Sequence, residues 1–381
     1  MSARGESATP RSVDELPTPA ALVDLDRVDR NLRGMQAYAS AHGLGLRPHA
    51  KTHKTAWLAE QQIRQGAVGL TVATSVEATA LGASAPELLL AYPPLGSRAT
   101  AAAASAAARP TLVALDSLEA LDALRRALRE RGDGARVGVL IELDVGMRRC
   151  GVGSAGEALA IARACDGPLE YRGVMFYPGH IRDPLGAQRD QLEILQTTLD
   201  RVLAGLADAR LPAPVVSGGS TPTAWRSHEL RGLTEIRPGT YVFNDRTTAA
   251  LDACSRDDLA YTILATVVST AVSGQAVVDA GSKALSSDVI RAPGADGFGE
   301  LLDRPEVTVA RMSEEHGVLD LSRTDWRPRL GERVRIVPNH VCVSVNLQER
   351  LYGIRGVEVA REWTPDARGW TPAVRVRAGD A

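Results

Sequence analysis

A parallel (β/α)8 barrel followed by an antiparallel β domain is the architecture this sequence predicts, and three observations carry it. Short apolar runs alternate with helical patterns eight times, at residues 44–48, 69–73, 87–92, 111–116, 137–144, 171–177, 214–218 and 235–242. After Asn244 the texture changes to β-branched runs, at 261–271, 276–280, 306–311, 333–337 and 356–360, with no long helical pattern between them. The 381 residues exceed one small domain and suit a large barrel with a smaller partner. The barrel is set at residues 20–245 and the β domain at 246–381, joined by residues 1–19.

In chain order, residues 19–26 read as extended, and Val28, Leu32, Met35 and Ala39 then recur at helical spacing. Between the later apolar runs lie amphipathic helices; in 117–131, Leu118, Leu121, Leu124 and Leu128 share one face. Asp116 with Ser117, and Thr74 with Ser75, supply N-cap side chains where strand gives way to helix. The Ala-rich stretch 101–109 reads as a solvated helix. Apolar residues make up 44% of the chain and aromatic ones only 4%, so the interior must be aliphatic, as in the side-chain layers of a barrel.

A net charge of −2 and no lysine-rich run give no attraction to nucleic acid or to an anionic membrane. The first twelve residues are polar, and no run of about 18 apolar residues occurs, so a cytoplasmic protein is expected. Four cysteines at wide spacing in a long chain do not make a disulfide framework.

Catalytic groups of such a barrel come from the C-terminal ends of its strands. The first run ends Leu46-Arg47-Pro48-His49-Ala50-Lys51-Thr52-His53-Lys54, which places Lys51 at a strand end. An amine there, desolvated and close to Arg47, Lys54, His49 or His53, can lose its proton and condense with an aldehyde, of which pyridoxal phosphate is the usual one. A solvated basic turn opening a helix is the other reading. The seventh run ends Ser217-Gly218-Gly219-Ser220-Thr221, where glycines let backbone amides approach a phosphate, hydroxyls add donors, and Pro222 suits the first turn of a helix. An ordinary turn fits the same residues. The eighth run supplies Arg237-Pro238-Gly239-Thr240-Tyr241, from which Gly239 and Tyr241 are counted with the cofactor-binding residues.

The fifth run ends in Asp144-Val145-Gly146-Met147-Arg148-Arg149-Cys150-Gly151, a tight loop carrying two guanidiniums, one of which can face a cofactor while the other makes a surface ion pair. The sixth ends Tyr177-Pro178-Gly179-His180, and Tyr177 and His180 are candidates for acid/base work in the barrel mouth. In the β domain, Pro338-Asn339-His340-Val341-Cys342 follows an extended run. Alternate residues of a strand point to one side, so His340 and Cys342 can take neighbouring positions on one metal ion and leave open positions for water and substrate. A buried cysteine beside a satisfied histidine is the alternative.

Taken together, these stretches resemble the D-threonine aldolase and D-serine dehydratase family of fold-type III pyridoxal phosphate enzymes, whose first domain looks like that of alanine racemase. The resemblance spans nearly the whole chain and rests on the segment around Lys51, the Asp-x-Gly-x-x-Arg-x-Gly loop ending at Gly151, the loop Ser217 to Thr221, and Pro338-Asn339-His340-x-Cys342. It implies that Lys51 carries the cofactor, that Arg149 faces its pyridine nitrogen, that Tyr177 lies near it, and that His340 with Cys342 binds a divalent metal. Dehydratase members tend to show His-x-Cys where aldolase members show His-x-Asp, and a thiolate favours zinc over manganese. Val343-Ser344 departs from the family's usual Pro-Thr at this place.

The expected function is therefore a pyridoxal phosphate- and metal-dependent lyase of D-3-hydroxy-α-amino acids. A dehydratase giving 2-oxo acid and ammonia leads, with a D-threonine aldolase giving glycine and an aldehyde as the alternative. A racemase, which needs no metal, and a non-catalytic pyridoxal phosphate-binding protein stand behind these. The resemblance also implies a homodimer.

Overall fold

The computed structural model describes residues 11–369. The chain divides into two compact units, one of residues 35–239 with the stretch from Asp366 onward, the other of residues up to Gly34 with Thr240–Pro365. The first strand is β1 (Ala20–Asp24), and the division between the units falls within the helix that follows it, α1 (Leu25–Ala41).

In the first unit, eight parallel strands lie where the sequence predicts apolar runs: β2 (Gly45–Leu46), β3 (Leu70–Val72), β4 (Leu88–Leu90), β5 (Thr111–Leu115), β6 (Val137–Leu143), β7 (Leu169–Phe176), β8 (Val215–Gly218) and β9 (Glu235–Ile236). They pair in the order β2-β9-β8-β7-β6-β5-β4-β3. The ends of this order also meet, since Val68 N donates to Leu46 O at 2.8 Å and Thr71 N to Pro48 O at 2.9 Å, and Ala50 N donates to Thr71 O at 2.9 Å. The curled sheet is thus the predicted alanine racemase-like barrel. Its interior is aliphatic, with Leu89, Leu112, Ala114, Leu140 and Met175 packed together.

Helices α2 (Ala56–Arg64), α3 (Ser75–Leu81), α4 (Ser97–Ala108), α5 (Leu118–Arg131), α6 (Ala155–Ala164) and α7 (Arg189–Asp208) follow the strands. The predicted caps form: Ser117 Oγ accepts from Ala120 N and Thr74 Oγ1 from Glu77 N, each satisfying an otherwise orphaned amide. On α5, Leu121, Leu124 and Leu128 are buried, but Leu118, which spacing assigned to the same face, is exposed in the first turn. The eighth run is shorter than predicted. Proline has no N–H to extend the ladder at Pro238, and Thr240–Val242 is a single 3-10 turn.

The second unit holds a nine-stranded sheet. Besides β1 it contains β10 (Tyr261–Ser269), β11 (Gln275–Val278), β12 (Gly299–Leu301), β13 (Val309–Met312), β14 (Gly317–Asp320), β15 (Arg333–Pro338), β16 (Leu351–Arg355) and β17 (Glu358–Trp363). Helices α8 (Arg246–Ala250), α9 (Ser282–Leu285) and α10 (Val341–Leu347) complete it. The antiparallel character is as predicted, with one correction. Strand β1, read from sequence as part of the barrel, pairs antiparallel with β10 and parallel with β16. Its side chains Ala20 and Leu22 pack with Leu16, Leu264, Ile354 and Val359. Strands β12, β14 and β16 carry no strong sequence signal because they are short and contain Gly299, Gly317 and Gly353.

The sequence reading placed residues 246–381 with the β domain, yet the last described stretch is bonded into the barrel unit. Asp366 Oδ2 accepts from Ala56 N at 2.7 Å, at the start of α2, and Ala367 N donates to Lys54 O. Among the described residues no helix is long and apolar enough to cross a membrane.

Candidate active site

Lys51 lies in the turn that follows β2, a turn tied down on both sides. His49 N donates to Pro238 O at 3.0 Å, and a Cβ on Gly239 would meet Thr52 Oγ1 at 2.9 Å and His49 O at 3.0 Å. Gly239 therefore acts by letting the chain after β9 press against the lysine segment. Lys51 Nζ stands 5.7 Å from the centroid of the Tyr177 ring, and Arg149 Cζ stands 4.9 Å from the same centroid. The barrel thus brings together Lys51 from the turn after β2, Arg149 from the loop after β6 and Tyr177 from the end of β7.

The cations expected to surround Lys51 are mostly engaged elsewhere, which corrects the sequence argument. Arg47 is buried and donates Nε to both oxygens of Glu235, at 2.8 and 3.0 Å, and Nη2 to Glu87 at 2.8 Å. Gly69 gives it room, since a Cβ there would meet Arg47 Nη1 at 2.3 Å. Lys54 Nζ lies 3.7 Å from the buried Glu77. His53 accepts from Thr55 N at Nδ1 and meets Gln62 Oε1 at Nε2, and burial pushes its pKa down to about 4. His49 is held neutral by burial and then by the charges of Lys51 and Arg237.

Arg237, which lies in the eighth run but was not counted with the cofactor-binding residues, is buried at the end of β9. It donates Nη2 to Phe176 O at 2.6 Å, while its Nε has no partner among the described residues. Burial lowers its pKa, with Glu142 and Glu235 working the other way. Arg149 is half-exposed and reaches the buried Glu142 at 3.6 Å.

In the predicted phosphate loop, Ser217 Oγ is buried with no partner among the described residues. Gly218 is not free for the reason expected. A Cβ there would meet the Phe176 ring at 2.2 Å, so this glycine makes room for an aromatic side chain. Gly219 takes φ +87°, a conformation that favours glycine. Ser220 N donates to Thr223 Oγ1 at 3.3 Å, and Ser220 and Thr221 are both buried. The helix predicted at Pro222 begins instead as a 3-10 turn at Ala224.

His180 packs on the loop after β6, with Nε2 3.0 Å from where a Cβ of Gly146 would stand. Its Nδ1 is buried without a partner among the described residues, and burial lowers its pKa against the pull of Asp144.

In the second unit Tyr241 is buried in the turn Thr240–Val242. His340 and Cys342 are not on a strand. His340 is the extended N-cap residue of α10, and Cys342 stands in that helix's first turn. The two side chains nevertheless meet in a hydrogen bond, and the negative charge Cys342 can carry raises the His340 pKa against the effect of burial. Thr240 Oγ1 lies 3.8 Å from Cys342 Sγ. Among the described residues no group of three His, Cys, Asp or Glu side chains is arranged to hold a metal ion.

Behind His340 stands Asp245, whose Oδ2 is 3.1 Å from Nδ1. Its only sequence signal is that of an N-cap before α8. Asn339 is fixed by Arg246, which donates to its Oδ1 at 3.2 Å, and by its own donation to Gly297 O at 2.8 Å. Lys283 is exposed between Glu314 and Glu315, at 2.9 and 2.7 Å.

The family profile for the alanine racemase N-terminal domain matches residues 23–247, and that for a serine dehydratase domain matches residues 260–354. The chain is 36% identical to D-threo-3-hydroxyaspartate dehydratase of Delftia sp. (strain HT23) over 355 residues, covering 86% of this chain and 92% of the relative. It is 30% identical to D-threonine aldolase of Arthrobacter sp, covering 93% of each. The solved D-threonine aldolase from Filomicrobium marinum superposes with a TM-score of 0.84 at 30% identity, over 95% of this chain and 99% of that one. Two solved variants of D-threo-3-hydroxyaspartate dehydratase have alanine at a histidine and at a cysteine two positions later, and the second is in a metal-free form. The chain belongs to the D-threonine aldolase and D-serine dehydratase family of pyridoxal phosphate-dependent lyases, built on the alanine racemase-like barrel.

Proposed function

We propose that this chain is a pyridoxal phosphate- and divalent-metal-dependent dehydratase of D-3-hydroxy-α-amino acids, releasing 2-oxo acid and ammonia. The observation that carries the reading is the meeting of an imidazole and a thiol at His340 and Cys342. An N/S donor pair suits zinc and leaves coordination positions for water and a substrate hydroxyl.

The barrel residues fit the organic cofactor. Two buried polar atoms at the strand ends, Ser217 Oγ and Arg237 Nε, lack protein partners among the described residues, and such groups are normally satisfied. Lys51 would hold pyridoxal phosphate covalently, the loop Ser217 to Thr221 its phosphate, and Arg149 or Arg237 its ring nitrogen. When bound, it supplies an electron sink for a carbanion at Cα, and a metal on His340 and Cys342 supplies a Lewis acid for the β-hydroxyl.

The chain's own part is proton handling and orientation. Lys51 Nζ takes the α-proton. Tyr177, with its ring beside both Lys51 and Arg149, lines the mouth, and His180 is the candidate to return a proton. A retro-aldol reading remains as a second, because it uses the same lysine and metal and because the Arthrobacter relative is named as an aldolase.

The test is to incubate metal-loaded protein with D-threo-3-hydroxyaspartate, D-serine and D-threonine. Keto acid with ammonia is expected; glycine with an aldehyde would make the protein an aldolase. Chelation should stop turnover while the bound cofactor's colour remains, and full activity in protein shown by elemental analysis to be metal-free would remove the metal from the reading. On the same reading the protein is a homodimer, which a monomeric mass by light scattering in fully active protein would contradict.

A further inference from the structure

We propose that Asp245 positions His340 as a metal ligand by accepting the proton of Nδ1, so that Nε2 is the atom presented to the ion. The inference rests on the reading that His340 and Cys342 hold a divalent cation.

Asp245 is fully buried and cannot turn. Its Oδ1 accepts from Thr248 N at 2.8 Å, and its own N–H donates to Thr248 Oγ1 at 2.8 Å, a reciprocal cap on α8. That cap needs only one oxygen. The other, Oδ2, is aimed at the metal pair: it accepts from Val341 N at 3.1 Å and stands 3.1 Å from His340 Nδ1. One oxygen therefore ties down both the imidazole and the backbone that leads into Cys342.

A carboxylate oxygen can only accept, so the Nδ1 facing it must carry the proton, and the lone pair of a neutral imidazole then lies on Nε2. Ligating histidines are regularly held this way, and loss of the carboxylate typically weakens metal affinity. The His340 imidazole is a third exposed, so an ion can reach it. Thr247 Oγ1, donating to Asn339 O at 2.7 Å, fixes the preceding residue from the same helix.

The experiment compares cobalt(II) binding by the parent, Asp245→Asn and His340→Ala, with thermal melts of the metal-free proteins. Asn keeps the size of the side chain and can still cap α8 with one oxygen, but it cannot also accept from Val341 N and Nδ1. Asp245→Asn is expected to lose about 10–100-fold in cobalt affinity and to shift the thiolate-to-cobalt absorption while melting near the parent. Parent-like affinity and spectrum in Asp245→Asn would overturn the proposal. If the parent binds cobalt no better than His340→Ala, the metal reading itself falls and this proposal with it. Should Asp245→Asn fail to fold, nitrogen NMR of the metal-loaded parent decides: a protonated Nδ1 with a metal-bound Nε2 is expected, and the reverse assignment overturns it.

Discussion

The ring of Phe176, at the end of β7, occupies the space into which any side chain on Gly218 would grow, at 2.2 Å from the first carbon. The loop reserved for phosphate is thus built on a packing constraint inside the barrel. Gly218→Ala should destabilise the protein by about 1–3 kcal/mol through overpacking, and denaturant unfolding reads this directly. Unchanged stability with weakened cofactor binding would return Gly218 to the role of a phosphate contact alone.

Removal of Arg47 should act on folding before it acts on catalysis. Arg47→Ala leaves the carboxylates of Glu235 and Glu87 partly buried without their partner, and breaking a buried pair of this kind costs about 3–5 kcal/mol. A urea midpoint equal to the parent's, accompanied by lost activity, would show that Arg47 serves the chemistry.

Acid should weaken the fold through His53. Its pKa lies near 4 in the folded chain and near 6.5 in the unfolded one. Below pH 6.5 the unfolded chain therefore takes up a proton that the folded chain refuses, and stability falls with pH until about pH 4. The loss from this group alone approaches roughly 3 kcal/mol. Urea midpoints measured from pH 7.5 to 4.5 should fall more steeply in the parent than in His53→Gln. Equal slopes would mean that His53 titrates normally.

Borohydride should fix the cofactor to Lys51, bleaching the absorbance of the purified protein and leaving a modified peptide that contains this residue. Lys51→Ala should yield no such adduct and no turnover. An adduct that survives the substitution, mapped by mass spectrometry, would assign the chemistry to another lysine.

Much of this architecture is written in local pattern. Several barrel strands were legible because they bury nearly continuous apolar runs, as β4 and β5 do, and the caps at Thr74 and Ser117 because they bond amides three residues away. His340 and Cys342 were legible as a pair because two residues of backbone hold them together, although the geometry is that of a helix start.

What the tertiary structure decided is every partner distant in sequence. Arg47 finds Glu87 and Glu235 at separations of 40 and 188 residues, and Asp245 finds His340 at 95. Strand β1 leaves the barrel for β10 and β16. In each case the amino acid alone states a charge, a cap or an apolar run, which many neighbours can satisfy. Which neighbour does so is set by the closing of sheets, since burial demands a partner for every charge and the fold offers only the one that arrives beside it.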